Sequence, residues 1–484
     1  MRRHLTLFLA FSTMLSGCKV GPDYYPPVTE VPIAYSEEVP CRTYYPDDED
    51  LVEWWRVFDD PVLDELLNEA IGHNFDYRIA LEQVQQARAQ YWFQFTQILP
   101  EVIADGQASR YRISRSFADA AASQAAGISP IRNFFQVGFD VIWEIDLFGG
   151  LRRAADAAYD SWEASVAEAR AVKIIVLSEV ANTYVAIRSF QNKAAIAAKR
   201  VELDEELIQL FSSRFEAGLA NEQDVLAAYE ALETDKANLL GYETVLKLNI
   251  YSLAVLLGRL PETLPAEFQC VQPVPFSLEL IPSGLPSDLL RRRPDIVSAE
   301  RTLAAATEEV GVAVAELFPK ISLTGSSSSF AANPLQGANV GFSSDQASKL
   351  FNSASGIWGI GSLVTFPVFD WGMRRAEVNV QESIAQQAYL SYQKTVIAAL
   401  QEVEQSLTAY FNDEKREVAL SKSTNAFQRD YELTSDLYQS GLGDYTQVLQ
   451  AKEAWLNSLD ILTDSQATLT TDIISVYKAL GGDW

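Results

Sequence analysis

Few residues of this sequence are of the types that catalyse reactions or bind metals. The chain of 484 residues contains two histidines, His4 close to the start and His73 far from it. A histidine-based active site or a zinc cluster needs more ligands and bases than these, so the sequence argues against both. Met373 is the one methionine that follows the N-terminal apolar segment, which argues against a methionine-lined path for soft metals. We therefore predict no enzyme activity, no cofactor and no metal site.

The cysteines are candidates for modification rather than catalysis. Residues 1–17 begin with basic residues and continue as an apolar run, which predicts a signal peptide. They end in "LSGC", which resembles the bacterial lipobox and implies cleavage before Cys18 and acylation of its thiol; the alternative is an ordinary signal peptide with a chance cysteine. Lys19 follows instead of an inner-membrane retention aspartate, which favours the outer membrane. Cys41 and Cys270 remain and could form a disulfide in an exported protein, or stay as free thiols.

Charge and hydropathy limit the possible partners. The formal net charge is −27, from 38 basic and 65 acidic residues. This balance argues against a nucleic-acid partner, because neutralising phosphates requires Lys and Arg. After the signal peptide, we find no stretch of about 20 residues that is apolar enough for a transmembrane helix. If the chain spans a membrane, we expect it to do so with β-strands.

One stretch of the sequence occurs twice. "GLANEQDVLAAYEAL", which begins at Gly218, and "GLGDYTQVLQAKEAW", which begins at Gly441, share seven of fifteen residues at an offset of 223 (441 − 218 = 223). This spacing is too long for the unit of a solenoid, so it indicates a duplicated half of the chain.

Long helices surround both copies of this stretch. Apolar residues recur every seven positions after each glycine, a pattern typical of coiled coils; they are Val225, Leu232, Leu239, Leu246 and Leu253 in the first copy and Val448, Trp455, Leu462, Leu469 and Val476 in the second. The segments upstream, roughly 152–215 and 373–438, contain no proline and predict helices of about 60 residues, or about 90 Å. Shorter helical patterns lie near 61–98 and 286–318.

Strand patterns follow Pro100 and Pro319. The stretch "FFQVGFDVIWEID" from Phe134 alternates apolar and polar residues, and "IWGIGSLVTFPVFD" places five apolar residues on one face, namely Trp358, Ile360, Val364, Phe366 and Val368. Segments 101–114 and 319–330 are their predicted partners, joined to them by loops rich in Ser, Ala and Gly. The lengths fit transmembrane strands, with half-buried soluble strands as the alternative.

Two β-hairpins supply four strands, which cannot close a barrel. Open edges are not tolerated in lipid, so the chain must form an oligomer. Three copies supply twelve strands, and a trimer is the smallest ring expected to leave an open lumen.

Seven motifs resemble one known family, the TolC-like outer-membrane efflux factors in their lipoprotein (OprM/NodT-like) branch. In order they are "LSGCKVGPDYYPP", "WWRVFDDPVLDELL", "WEIDLFGGLRRA", "FEAGLANEQDVL", "LLRRRPDIVSAE", "FPVFDWGMRRAEV" and "YQSGLGDYTQVLQA". The resemblance covers nearly all of the mature chain. It implies a mostly α-helical fold with a membrane β-barrel: a homotrimer with a twelve-stranded barrel in the outer membrane, a periplasmic α-helical tunnel and an equatorial belt.

The resemblance also implies a function. Members of the family serve as exit ducts for small toxic compounds, driven by an inner-membrane pump, here expected to be of the RND type, through a periplasmic adaptor. Two alternatives remain: a lipid-anchored coiled-coil tether without a pore, or an exit duct for type I protein secretion.

The predicted domains follow the duplication. They are a signal peptide at 1–17, a lipidated N-terminal arm at 18–60, a first repeat at 61–260, an equatorial linker at 261–285 and a second repeat at 286–484. Within the repeats, β-hairpins at 101–146 and 319–370 precede helical hairpins at 152–257 and 373–480. In the family, the arm and the linker pack near the belt, which suggests a disulfide between Cys41 and Cys270.

The resemblance places the periplasmic tip at the two glycine–leucine turns. Gly218, Leu219, Gly441 and Leu442 would reverse the long helices and contact the adaptor. The alternative is that these turns only end the helices, which glycine does well because positive φ is common there.

The resemblance also assigns a gate close to the second turn. Family members carry carboxylates that face the three-fold axis, and Gln447 and Gln450 stand at those positions here, with Thr446 beside them. Amides can hydrogen-bond across the axis without charge, so we expect less cation selectivity, with Asp444 as a possible source of the missing charge.

A latch is the last feature that the resemblance assigns. Asp224 matches an aspartate that helps to close the mouth, and we expect Tyr438 to be its partner. Gly443 stands where the family has a basic lock residue, so we expect one latch to be absent.

Overall fold

The computed structural model of the chain describes residues 19–36, 43–44, 53–112, 131–263, 268, 270–276, 281–282, 286–324 and 338–482. The signal peptide, Cys18 and Cys41 lie outside the described residues. The chain forms two compact units. The first unit comprises Met1–Pro27, Gln85–Ala164 and Ala299–Ser391, and the second unit comprises Val28–Val84, Ser165–Ser298 and Tyr392–Trp484.

The two halves of the chain contain similar elements. Those of the first half are α1 (Pro61–His73), α2 (Phe75–Thr96), β1 (Glu101–Arg112), β2 (Ile131–Ile145), α3 (Gly150–Glu216) and α4 (Glu222–Leu256). Those of the second half are α5 (Pro286–Arg292), α6 (Pro294–Ala315), β3 (Lys320–Thr324), β4 (Ala338–Ser344), β5 (Gly356–Gly359), β6 (Leu363–Thr365), α7 (Met373–Gln439) and α8 (Tyr445–Ala479).

A few short elements complete the described fold. The 3-10 helices are Trp54–Phe58, Pro261–Thr263, Ala347–Lys349 and Ser353–Ser355. A two-residue parallel pair joins Thr43–Tyr44, in the predicted N-terminal arm, to Ile281–Pro282, in the predicted linker.

The long helices confirm the duplicated plan. α3 and α7 have 67 residues each, and α4 and α8 have 35 each. The second pair begins 223 residues after the first (373 − 150 = 223 and 445 − 222 = 223). At about 1.5 Å per residue, a helix as long as α3 extends about 100 Å. Such lengths are stable because the apolar positions of each helix are packed by neighbours.

One apolar cluster of the second unit lies between α3 and α8. Leu203 of α3 and Leu449 and Leu456 of α8 are almost fully buried, together with Ile196. Burying a leucine contributes about 1.5–3 kcal/mol, so these contacts dominate the packing of the two helices. The seven-residue pattern of the sequence is confirmed in α8, where Leu469 and Val476 are fully buried. We call the contact of α3 with α8 the helix seam.

The sheet of the first unit is built around β2. β1 pairs with β2 over its whole length in antiparallel register, from Glu101↔Ile142 to Arg112↔Ile131. β3 and β4 both pair with the other side of β2, one after the other along its length. β6 pairs with the outer edge of β3, and β5 pairs with the outer edge of β4. The described strands therefore form four antiparallel lines, in agreement with the four predicted strands.

The second hairpin differs from its prediction in detail. β4 was expected to be part of a loop, and the predicted strand 357–370 is replaced by the short strands β5 and β6, after which Phe366 and Val368 follow. β4 contains only two large apolar residues among Gly, Ser, Ala and Asn, so it carries no period-two signal. Its strand conformation comes from pairing with β2.

One helix contradicts the expectation that no stretch is apolar enough to cross a membrane. By length and composition α4 passes this test among the described residues, and little of its apolar window is buried within the chain. Apolar residues outside the seven-residue pattern, such as Leu240, Leu248 and Val255, are exposed on its surface. They raise the hydropathy of α4 above that of a helix with a single apolar stripe.

Candidate functional site

Both helical hairpins turn at a glycine–leucine pair in the second unit. φ is +69° at Gly218 and +74° at Gly441, a left-handed conformation that residues with a Cβ adopt at a cost. Nothing lies within 4 Å of the position that a Cβ would take at either glycine. The backbone conformation of the turn, and not a lack of space, therefore requires glycine at these positions.

The turns expose their leucines. The Leu219 amide donates to the Arg214 carbonyl oxygen at 2.8 Å, and the Leu442 amide donates to the Leu437 carbonyl oxygen at 2.9 Å, as in a Schellman motif. The side chains of Leu219 and Leu442 are 79% and 78% exposed. Each hairpin therefore ends in an apolar side chain that is presented to its surroundings.

Polar side chains begin the helices that follow the turns. At the start of α4, the Asp224 amide donates to Asn221 Oδ1 at 2.9 Å and the Asn221 amide donates to Asp224 Oδ2 at 3.1 Å, which is a capping box. At the start of α8, Asp444 Oδ1 accepts from the Thr446 amide at 3.2 Å. Both aspartates therefore satisfy amides that a helix start leaves unpaired.

An ion pair joins the two hairpins beside their turns. Arg214, in the last turn of α3, donates through Nη2 to Asp444 Oδ1 at 2.6 Å and through Nη1 to Thr446 Oγ1 at 2.9 Å. The hydrogen bond from Arg214, followed by that from the Thr446 amide, lowers the pKa of Asp444. We call Arg214, Asp444 and Thr446 the tip clasp.

Tyrosines support the start of α8 next to the tip clasp. The Tyr445 hydroxyl donates to Glu206 Oε2 of α3 at 3.0 Å. The Tyr438 ring lies against the Tyr445 ring, with 5.0 Å between centroids. These contacts connect α3, the end of α7 and the start of α8.

Gln447 and Gln450 lie on one face of α8, three residues apart, and both are exposed. Val448 and Leu449 lie on the buried face of the same turn. The helix seam therefore directs the two amides away from α3, as a ring of amides around an axis would require.

The Asp224 carboxylate accepts from the Asn221 amide, and no hydrogen bond joins it to Tyr438 among the described residues. Arg214 supplies a cation to Asp444 from the other hairpin. The latch between Asp224 and Tyr438 and the missing basic lock at Gly443 remain predictions. The sequence analysis did not identify Arg214, because no local pattern places it opposite Asp444, which lies 230 residues further along the chain.

The outer face of the sheet in the first unit is apolar. Phe139 of β2, Val340 of β4 and Trp358 of β5 lie side by side in register. Each of these side chains is more than half exposed. Large apolar side chains in a row on an exposed face are typical of a surface that contacts lipid or another protein.

The opposite face of the same strands is polar. Gln107 of β1, Gln136 of β2 and Ser343 of β4 form a row in register. Gln136 and Asp140 on this face are buried, while Phe139 on the apolar face is exposed. This distribution is the reverse of a soluble sheet and matches a membrane barrel, whose strands are apolar outside and polar inside.

The cysteine predictions are only partly within the described residues. Cys270 is exposed, and its carbonyl oxygen accepts from Arg188 Nη1 at 3.5 Å. Since Cys18 and Cys41 lie outside the described residues, the acylation and the disulfide remain predictions.

Comparison with known proteins decides the family. A family model described as outer membrane efflux protein matches residues 66–259 and 285–482. The chain belongs to the outer membrane efflux protein family. It is 32% identical over 482 residues to the toluene efflux pump outer membrane protein TtgI of Pseudomonas putida, covering 97% of this chain and 96% of that protein.

Solved structures agree with this family. The outer-membrane channel OprN superposes with a TM-score of 0.82 at 29% identity, covering 96% of this chain and 100% of that one. The open state of the Neisseria gonorrhoeae MtrE outer membrane channel superposes with a TM-score of 0.77 at 26% identity, covering 96% and 98%.

As an outer membrane efflux protein, the chain is the channel-tunnel of a tripartite efflux pump. It lies in the bacterial outer membrane and extends into the periplasm. Members of the family are trimers that work with periplasmic adaptors and inner-membrane pumps, and the relatives found are channels rather than enzymes.

Proposed function

We propose that this outer membrane efflux protein exports small toxic compounds for an RND-type pump, as a homotrimer docked to its adaptor through the ends of the two helical hairpins. The names of two relatives refer to toluene and solvent efflux, which supports small apolar cargo. The observation that carries the docking is the pair of exposed leucines, Leu219 and Leu442, on turns of the same geometry.

The exposed leucines suit an apolar groove on an adaptor. A trimer presents six such turns, and several weak contacts of this kind add to one strong attachment. The polar caps behind them hold the turns in one shape, so little conformational freedom is lost on binding.

The gate is formed by Gln447 and Gln450, with the tip clasp behind them. Asp444 is paired with Arg214, so its charge is neutralised locally and is not free to act at the axis. The constriction that we propose is therefore uncharged and closes by size and by amide contacts.

Three further features belong to the proposed channel. The four lines of strands in each chain close as a twelve-stranded barrel in the trimer, with their apolar face towards lipid. Cys18 carries the acyl anchor in the outer membrane. Cys41 and Cys270 form a disulfide between the arm and the linker, which is supported by the pairing of Thr43–Tyr44 with Ile281–Pro282.

The experiment expresses the full chain with its pump and adaptor in cells that lack other outer-membrane exit channels. We expect wild type to lower the accumulation of small apolar dyes, and the double variant Leu219→Glu with Leu442→Glu to lose most of this effect and of its cross-linking to the adaptor. Leu260→Glu, at a similarly exposed leucine, is the control. Secretion of a polypeptide without any effect on dyes would favour type I secretion, and wild-type activity of the double variant would exclude docking through the turns.

A further inference from the structure

The first residues after Cys18 are docked on the first unit. The Val20 amide donates to the Phe148 carbonyl oxygen at 3.1 Å, in the turn between β2 and α3. The Lys19 ammonium pairs with Asp156 of α3. Further along, the Tyr24 hydroxyl donates to Glu300 Oε1 of α6 at 3.1 Å. Residues 19–24 therefore follow the start of α3 and the side of α6.

Arg153 is the centre of this contact. Its side chain is fully buried, and all three of its guanidinium nitrogens donate hydrogen bonds. Nε donates to the Val20 carbonyl oxygen at 2.6 Å, and Nη2 donates to the Gly21 carbonyl oxygen at 3.3 Å and to Asp23 Oδ1 at 3.0 Å. Nη1 donates to Glu308 Oε2 of α6 at 2.8 Å.

Two glycines allow the backbones to approach one another. Gly21 has φ of +89°, and a Cβ on it would lie 2.6 Å from the Gly311 Cα. A Cβ on Gly311 would overlap Arg153 Cδ. Side chains at either position would separate the N-terminal segment from α6 and displace Arg153. We call Arg153, Glu308 and Gly311 the anchor seat.

The anchor seat recognises the segment mainly through its backbone. Three of the four acceptors of Arg153 belong to residues 20–23, and two of these are carbonyl oxygens. The fourth, Glu308, belongs to α6, so the ion pair of the seat does not depend on the segment. Without the segment, however, two of the buried nitrogens would lose their acceptors, which is unfavourable.

We propose that the anchor seat holds the acylated N-terminus next to the C-terminal end of β2. The lipid and the sheet would then enter the membrane at a fixed distance from one another. This inference rests on the proposed acylation of Cys18. Cys18 directly precedes Lys19, and one peptide unit spans about 3.8 Å. Lys19 in turn lies against Gly149, four residues after the end of β2. A Cβ on Gly149 would be 2.9 Å from the Lys19 Cα.

A tether this short constrains the position of the sheet. Six added residues would allow the lipid to move by about 20 Å relative to the seat, which is a large part of the hydrocarbon thickness of about 30 Å. The same addition beyond the seat would leave the distance from lipid to seat unchanged. The position of an insertion therefore separates a fixed anchor from a loose one.

The first experiment inserts Gly-Ser-Gly-Ser-Gly-Ser into the full chain either after Lys19 or after Pro27. The first site keeps "LSGCK" intact for processing, and acylation of Cys18 is checked by mass spectrometry of the N-terminal peptide. We expect the insertion after Lys19 to lower the fraction of membrane-inserted trimer, measured by heat-modifiable migration, at least threefold. We expect the insertion after Pro27 to leave that fraction at the wild-type level.

The outcomes separate this inference from the function on which it rests. Equal behaviour of the two insertions with acylated Cys18 would overturn the role of the seat and leave the lipid anchor standing. A wild-type protein without acyl groups on Cys18 would overturn both.

The second experiment measures hydrogen exchange of the Val20 amide in the full-length wild type and in Arg153→Met. We expect exchange to be at least tenfold faster in the variant, and partly restored by Arg153→Lys. The control is Arg301→Met, which removes a half-buried arginine that contacts Asp160 at 3.4 Å in the same unit. Unchanged exchange in Arg153→Met would show that the seat does not hold the segment.

Discussion

At the scale of single residues, one carboxylic acid in the helix seam is placed to titrate close to neutral pH. Asp204 of α3 is 4% exposed. Burial raises the pKa of Asp204 from 3.8 to about 6. The charges of Asp235 of α4 and Glu453 of α8 and a hydrogen bond with Asp235 act in the same direction, whereas the charge of Arg200 opposes them. Between about pH 4 and pH 6, Asp204 therefore keeps a proton in the native chain that it has released in the unfolded chain.

This raised pKa predicts the sign of a pH effect. The contribution of Asp204 to stability is present below about pH 4 and is lost as the pH rises through about 6; a shift of about two units corresponds to about 3 kcal/mol. We expect Asp204→Asn to raise the thermal-unfolding midpoint at pH 8 and to leave it unchanged at pH 4. The exposed neighbour Glu205→Gln is the control. An equal shift at both pH values would contradict the assignment.

The amides of the proposed gate predict a change in ion selectivity. Gln450→Asp would place three carboxylates around the axis of the trimer, where they attract cations. We expect its cation-to-anion permeability ratio in planar bilayers to rise several-fold above that of wild type. Gln223→Asp, which adds the same charge at the exposed start of α4, should have no such effect. Identical selectivity of Gln450→Asp and wild type would rule out the ring.

At the scale of elements, the tip clasp connects the end of α3 to the start of α8. Its side chains are 33% and 49% exposed at Arg214 and Asp444, and a pair this exposed contributes about 0–1 kcal/mol. In the proposed gate, the clasp would bias the constriction towards its closed state without locking it. Salt weakens exposed pairs, so its effect should depend on ionic strength.

We expect Arg214→Gln to shorten the closed times of single channels by up to about fivefold at 0.1 M KCl, the change that about 1 kcal/mol allows. At 1 M KCl the variant and wild type should be alike. The control is Arg429→Gln, which removes an arginine whose exposed ion pair with Glu432 lies within α7. A difference that persists at 1 M KCl would show that Arg214 acts through packing rather than charge.

The elements also show which parts of the fold are readable from a sequence. The helices were predictable from local features that occur twice: the seven-residue pattern of α4 and α8, the absence of proline from α3 and α7, and the glycine turns. β4 was not, because its residues have little strand propensity and its pairing with β2 is a tertiary contact. The position of the turns was predictable for the same local reason.

The candidate site was predictable only in part. Gly218 and Gly441 follow from turn chemistry, whereas the pairing of Arg214 with Asp444 depends on how the α3 end aligns with the α8 start. That alignment is set by the helix seam, through Leu203, Leu449 and Leu456. Residues more than 200 positions apart meet there, and no local pattern records which polar groups will face each other.

At the scale of the whole molecule, two features of the single chain require partners. The sheet has two edges, at β1 and at β5 with β6, and an edge in lipid leaves backbone groups without hydrogen bonds. In the second unit, α4 exposes Leu240, Leu248 and Val255 along one side. Since members of the family are trimers, neighbouring copies are the natural cover for both.

The exposed side of α4 gives a test of this assembly. Burying a leucine at an interface contributes about 1.5–3 kcal/mol, and a lysine there would place a charge in an apolar contact. We expect Leu240→Lys with Leu248→Lys to convert trimer into monomer in native mass spectrometry of the detergent-purified protein, while Leu260→Lys, at an exposed leucine beyond the helix, remains trimeric. If α4 instead faced solvent in the assembled channel, the double variant would remain as trimeric as the control, because two more exposed lysines would disturb no contact.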